Sequence, residues 1–227
     1  MDITKATIAP LLVIFLFVAG TVQAADYRVE KLDEGPSAEH VSEEIVAAIA
    51  GSGVTVIRGK KRTVCQIWLA KEWPVAADFK ATSEVNYPFK PGQLIGLVRF
   101  KRKGTDFRDQ VITKGWYTLR YGQQPVDGNH EGTSPTRDFL MLVSCEHDRT
   151  VEAPDADKLV EHSSEAAGSN HPAIFSLQQA AEADERPSLR EEEDHEWQIL
   201  QLVGQAKGGD ASEELAVDIV VVGQAAE

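Results

Sequence analysis

Six consecutive residues, Asp127-Gly128-Asn129-His130-Glu131-Gly132, crowd carboxylates, an amide and an imidazole into one loop, and Asp138 follows shortly after. Counted from Asp127, the side chains Asp127, Asn129 and Glu131 take the first, third and fifth places, Gly132 the sixth and Asp138 the twelfth. That pattern is close to an oxygen-ligand calcium loop. Alternate side chains aim at one centre, glycine permits the sharp turn, and hard oxygens suit Ca²⁺ or Mg²⁺. It would make Asp127, Asn129, Glu131 and Asp138 metal ligands. The flanks are strand-like where an EF-hand has helices, Glu131 is long for its place and Asp138 is short for bidentate closure. The alternative is a polar hairpin loop whose Asp and Asn side chains bond their own backbone.

His130 opens a second line, a transition-metal or catalytic imidazole, with His147 beyond the next apolar run and His171 before a later one. Imidazoles with a carboxylate suit zinc or copper. No two histidines stand at i,i+2 or i,i+4 spacing and no HExxH occurs, so isolated loop histidines are the simpler expectation. Gly51-Ser52-Gly53 lacks the strand-to-helix turn of a nucleophile elbow, and Ser134 near His130 is no triad by proximity alone. Arg120 and Arg137 flank the loop, and either could hold Asp127 or Asp138 through a bidentate contact. The binding residues offered by the loop are Asp127, Asn129, His130, Arg137 and Asp138.

The elements around this loop read as strands. Short runs rich in β-branched and aromatic residues, separated by Gly and Lys turns, fall at 27–32, 54–58, 63–69, 93–101, 107–113, 116–121, 139–145 and 173–177. Two closing strands are expected at 196–203 and 214–222, joined around Lys207-Gly208-Gly209-Asp210 by a hairpin of the longer-loop kind. Apolar residues on both faces of 93–101 require cover on both sides. Val41, Ile45, Ala48 and Ile49 recur at helical spacing behind Ser37 as N-cap, with Gly51 as the stop. Asp155 can cap a short helix ending at Gly168. Residues 180–196, dense in charge and interrupted by Pro187, read as a solvated loop. The fold class expected is mainly β, an antiparallel β-sandwich with one N-terminal helix and a short helical or acidic insertion. Insertions are placed at about 146–170 and 178–195 of a single domain spanning 25–227.

Lys5, the apolar run 9–18 and the small-x-small triplet Val22-Gln23-Ala24 form an export signal, with the cut expected after Ala24. The apolar run is shorter than the roughly 20 residues a span needs. The mature chain is therefore expected to be periplasmic or secreted, with no membrane span. Removing residues 1–24 takes away Asp2 and Lys5, one charge of each sign, so the formal charge stays at -13. Such a balance excludes nucleic acid as a partner class, because phosphate backbones need clustered cations. The local exception is Arg99, Lys101, Arg102, Lys103 and Arg108, read as a charged hairpin tip that discourages edge pairing. Cys65 and Cys145 could be bridged in an oxidising compartment or remain buried free thiols. Trp116, Tyr117 and Tyr121 are expected to pack.

The runs Asp106-Phe107-Arg108, Lys114-Gly115-Trp116-Tyr117-Thr118-Leu119-Arg120-Tyr121, Pro125-Val126-Asp127-Gly128-Asn129-His130 and Arg137-Asp138-Phe139, with His171-Pro172-Ala173, resemble an uncharacterised family of exported bacterial proteins. The resemblance covers about 93–177 and implies a β-sandwich around the Gly-x-Tyr-Thr-Leu strand, with no assigned activity. The expected function is a non-catalytic binding or structural module working through loop 123–138, its partner an unidentified protein or small molecule. The alternative is a hydrolase-like metal-dependent enzyme built on Asp127, His130 and Asp138, the cofactor being calcium or a transition metal.

Overall fold

The computed structural model describes residues 26–125 and 136–225. In chain order these form β1 Tyr27–Leu32, α1 Glu43–Ala48, β2 Gly53–Arg58, β3 Arg62–Leu69, β4 Trp73–Pro74, β5 Leu94–Phe100, β6 Gly104–Thr105, β7 Val111–Ile112, β8 Gly115–Gln123, β9 Asp138–Ser144, α2 Ala156–Ala167, β10 Ile174–Gln178, β11 Ser188–Glu192, β12 Trp197–Gly208 and β13 Ala211–Val222. The chain is mainly β, as its alternating runs require. The strands join in one 11-stranded sheet in the order β1-β2-β3-β5-β8-β9-β10-β13-β12-β11, with β4 attached to β12, while β6 and β7 pair by themselves. All neighbours are antiparallel except β4 with β12. The first half of β10 pairs with β9 and its end with β13. The sheet curls, and β11 comes to lie against β1.

Alternation along the strands sends side chains to two separate cores. Leu140 and Leu142 of β9, Phe175 of β10 and Ile219 of β13 face the interior of the curl, with Trp73, Ile95 and Leu97. Their neighbours Met141, Val143, Ile174 and Val220 face outward, where Leu159 of α2, Phe107 and Trp197 cover them. Every residue of β5 but Arg99 is buried, so the expected two-sided cover is present. At the centre of the inner core the Trp73 indole donates to the Ile95 carbonyl at 3.0 Å and meets Phe89 edge-on. Phe89 stacks on Tyr87 and meets Tyr121 edge-on. Gly204 makes room for the Trp73 ring, since a Cβ there would lie 2.3 Å from it.

Several local expectations are corrected. The N-cap of α1 is Ser42, not Ser37: its hydroxyl accepts from Ile45 N at 3.3 Å and donates to the Arg149 carbonyl at 2.6 Å. Ser37 instead closes a separate turn onto His40 and Val41. The run 107–113 is strand only at Val111–Ile112. There the buried Asp106 carboxylate accepts from the backbone of Arg108, Gln110 and Ile174, and this side-chain bonding displaces a ladder. The charged run 180–196 contains β11, which pairs along β12 from Ser188↔Gln201 to Glu192↔Trp197. The β12–β13 hairpin is tight rather than long, with Gly208 paired to Ala211 and Gly209 at φ +63°. Asp155 and Gly168 do cap α2 as expected.

Of the two alternatives open for Cys65 and Cys145, the structure has the buried free thiols and no bridge. Cys65 lies on β3 and Cys145 just past β9, with β5 and β8 between them in the sheet. Three inter-strand steps of about 4.8 Å separate such positions by roughly 14 Å, twice the reach of a disulfide. Burial pushes both thiols up to about 12, so both are protonated at neutral pH.

The most consequential departure concerns Arg120, expected at the polar loop. Its side chain is fully buried and pairs with Asp148, which is equally buried. Nε and Nη2 grip the two carboxylate oxygens at 2.7 and 2.8 Å. The remaining N–H groups go to the carbonyls of Gly92, Val151 and Thr150, and Thr118 Oγ1 donates to Asp148 Oδ2. Every donor of the guanidinium is used, which is the condition under which a buried charge pair is tolerated. Removing one partner should cost about 3–5 kcal/mol, because the other charge stays buried and unpaired. Chemical denaturation of Arg120→Met and Asp148→Leu should show losses of that order, with the double variant less destabilised than their sum; additive losses under about 1 kcal/mol each would exclude the role.

Candidate functional site

On α2, His162 and Glu165 stand three residues apart and so share a helix face. The adjacent face is seated on the sheet: Leu159 and Ser163 are buried, and Ser163 Oγ donates to the Ala173 carbonyl at 3.0 Å. His147 arrives from the turn after β9, where the backbone N–H groups of His147 and Asp148 both donate to the Ser144 carbonyl at 2.9 Å. Asp148 turns inward to Arg120, and His147, its chain neighbour, turns outward to α2. The buried ion pair thereby sets the direction of the imidazole.

Three ligand-type atoms converge as a result. His147 Nδ1 and His162 Nδ1 are 3.1 Å apart, and Glu165 Oε2 lies 3.1 Å from the first and 3.2 Å from the second. The two rings cross at 67°. Hydrogen bonding to His162 holds the Glu165 carboxyl below the usual range, with the nearby His147 acting in the same direction. Among the described residues, this is the set of histidine and carboxylate groups arranged to share one ion.

All three line a hollow of about 750 Å³, and His147 and His162 also border a second of about 280 Å³. Arg99, Lys114 and Arg149 also line the larger one, with Glu39 and Glu146. Its floor is Trp116, which stacks on Trp68 with 5.1 Å between ring centroids and carries the Arg99 guanidinium 4.9 Å above its own. Arg99 thus leaves the basic hairpin tip expected from the sequence and takes part in the cleft. Tyr117 borders it too, its phenol held by Thr113 and raised above the usual range by burial. Cys145 lies in the wall as a protonated thiol, unsuited to nucleophilic work.

The residues expected to form the site are distributed otherwise. Asp127, Asn129, His130 and Glu131 lie outside the described residues. Asp138 and Arg137 stand at the base of that loop. Asp138 is buried and accepts from the Tyr121 hydroxyl and from Asn86 N at 2.6 Å, so both oxygens are engaged by protein donors. Neither arginine holds it. Arg120 belongs to Asp148, and Arg137 donates to the Gln124 carbonyl at 2.8 and 2.6 Å and lies 3.8 Å from Glu84. His171 is exposed, its backbone N–H on Ser169 Oγ, outside the triad. His162 and Glu165 were not singled out in the sequence. The available signal was an i,i+3 His/Glu pair on a helix whose two caps were legible.

Comparison with protein-family models, curated proteins and solved structures gave no match.

Burial pushes the Asp138 carboxyl above the usual range, against the hydrogen bonds from Tyr121 and Asn86 that favour its ionised form. A carboxyl raised on folding binds its proton more tightly in the native state, so stability rises as pH falls through the raised value toward the ordinary aspartate range and levels off below it. Relative to Asp138→Asn, the wild type should gain stability over that window; a pH-independent difference in denaturation midpoints would contradict the shift.

Proposed function

We propose that the protein is an exported, non-catalytic binding module that takes a small anionic ligand in the cleft between α2 and the Trp116 floor. The observation that carries this reading is the convergence of Arg99, Lys114 and Arg149 on one hollow in a chain of formal charge -13. Concave sites with a few convergent polar groups on rigid elements are where small ligands bind. Glu39 and Glu146 share the walls, so a ligand with a cationic group beside its anionic one fits as well. Export is supported by the basic, apolar and small-residue succession of residues 1–24. The curled sheet is read as a sandwich-like body whose two arms enclose the aromatic core. Asp138 and Tyr121 are hydrogen-bonded to each other at the described base of loop 123–138, and Asp127, Asn129 and His130 lie outside the described residues.

A hydrolase-like metal-dependent enzyme is the second reading. The specific observation favouring it is the approach of His147, His162 and Glu165 beside the cleft.

A thermal-shift screen with citrate, inorganic phosphate, free amino acids and short peptides tests the first reading. At a ligand concentration of about 100 Kd, binding adds about 2.7 kcal/mol, which raises Tm by roughly 5–10 °C in a domain of this size. The stabilising compound should lose its effect on Arg149→Ala and Lys114→Ala. Equal shifts in wild type and variants would place binding elsewhere.

A further inference from the structure

We propose that His147, His162 and Glu165 bind one divalent transition-metal ion of the zinc class, through Nδ1, Nδ1 and Oε2, with a further coordination position open toward the cleft. The dimensions support this. Metal–ligand bonds of about 2.0–2.1 Å in a tetrahedron put ligand atoms roughly 3.3–3.4 Å apart. The three edges here are 3.1, 3.1 and 3.2 Å. They form one slightly contracted face of such a tetrahedron, and small side-chain rotations open it to the full size.

Proton counting makes the same point independently. With the exposed carboxylate ionised, as it is at neutral pH, the three atoms can carry at most the two imidazole Nδ1 protons. If both are present, two N–H groups face each other across 3.1 Å; if one or none is, a bare nitrogen lone pair faces the carboxylate oxygen. Every protonation state leaves at least one edge of like with like. A dication satisfies all three edges together.

The donor set selects the ion. Two imidazole nitrogens and one carboxylate oxygen suit Zn²⁺ and its neighbours in the first transition row, whereas Ca²⁺ takes six to eight oxygens. The scaffold is held by contacts that do not involve the ion. α2 is capped at both ends and seated by Leu159 and Ser163, and the His147 turn is fixed by Ser144 and by the Arg120–Asp148 pair. Three protein ligands plus an open position is the arrangement of zinc sites that bind an exogenous molecule. A dication with one carboxylate carries net positive charge, and with Arg99, Lys114 and Arg149 in the same cleft it would take an anion or water at the open position.

The purified exported chain, stripped with a chelator, should be titrated with Zn²⁺ by calorimetry and with Co²⁺ by visible absorption. One ion per chain is expected, with the intense d–d bands of a near-tetrahedral Co²⁺ complex. His162→Ala, His147→Ala and Glu165→Gln should each weaken binding by more than the roughly 10–100-fold that outer-sphere partners carry, and Asp127→Asn should leave it unchanged. All three ligand positions are at least partly exposed, so the variants should melt near the wild-type temperature. Absence of stoichiometric binding overturns the assignment. So does binding that survives His162→Ala or is lost in Asp127→Asn, which would place the ion in the polar loop. The anion screen, repeated on chelated protein, separates the two readings: hits without metal binding sink the ion site alone, and metal binding without any hit sinks the ligand reading alone.

Discussion

The carboxylate of Asp148 and the guanidinium of Arg120 meet where no water reaches either, and the surrounding chain is arranged to make that tolerable. Two charges removed from water are an expense that only full hydrogen bonding offsets. Here the offset comes from the segment before β5 through Gly92, from the segment after β9 through Thr150 and Val151, and from Thr118 within β8. Three stretches far apart in sequence are therefore held to one point. A fourth joins them, because Glu44 of α1 accepts from Val151 N at 2.7 Å and Ser42 bonds the Arg149 carbonyl.

From that point the route to the site is one residue long. With Asp148 drawn into the sheet, the alternation of the chain carries His147 out toward α2 and Arg149 into the cleft. The helix meets them because Leu159 fills the outer core beside Met141, Val143 and Ile174. A single stretch of chain after β9 thus supplies an interior anchor and two groups of the cleft wall. A second, partly buried pair, Arg186 with the buried Asp218 at 2.9 Å, ties the segment before β11 to β13 at the other side of the sheet. Tyr87 links that region to the aromatic core by donating to the Gln178 carbonyl and accepting from Asp218 N.

Much of the fold was legible in local pattern. The alternating runs at 54–58, 116–121 and 139–145 are strands, and Asp155 with Gly168 bounds α2, because these signals depend on neighbours a few residues away. What escaped depends on partners far along the chain. Tyr87 and Phe89 sit in an irregular segment with no periodicity, yet they fill the centre of the core. β11 is charged because it is an edge strand with one solvated side, and the charge masked its pairing with β12. Arg120 stands in a strand that flanks the polar loop, and nothing near it in sequence announces Asp148, 28 positions on. The site followed the same rule. His147 is legible as a loop histidine, but its partners stand on a helix reached only through tertiary packing.

The most direct measurement is a crystal structure of residues 25–227 grown with Zn²⁺, with anomalous maps collected at the zinc edge. One strong peak is expected about 2.0–2.2 Å from His147 Nδ1, His162 Nδ1 and Glu165 Oε2, with Asp148 bonded to a buried Arg120 behind it. A peak among residues 127–131, or His147 and His162 pointing apart with no peak between them, would contradict it.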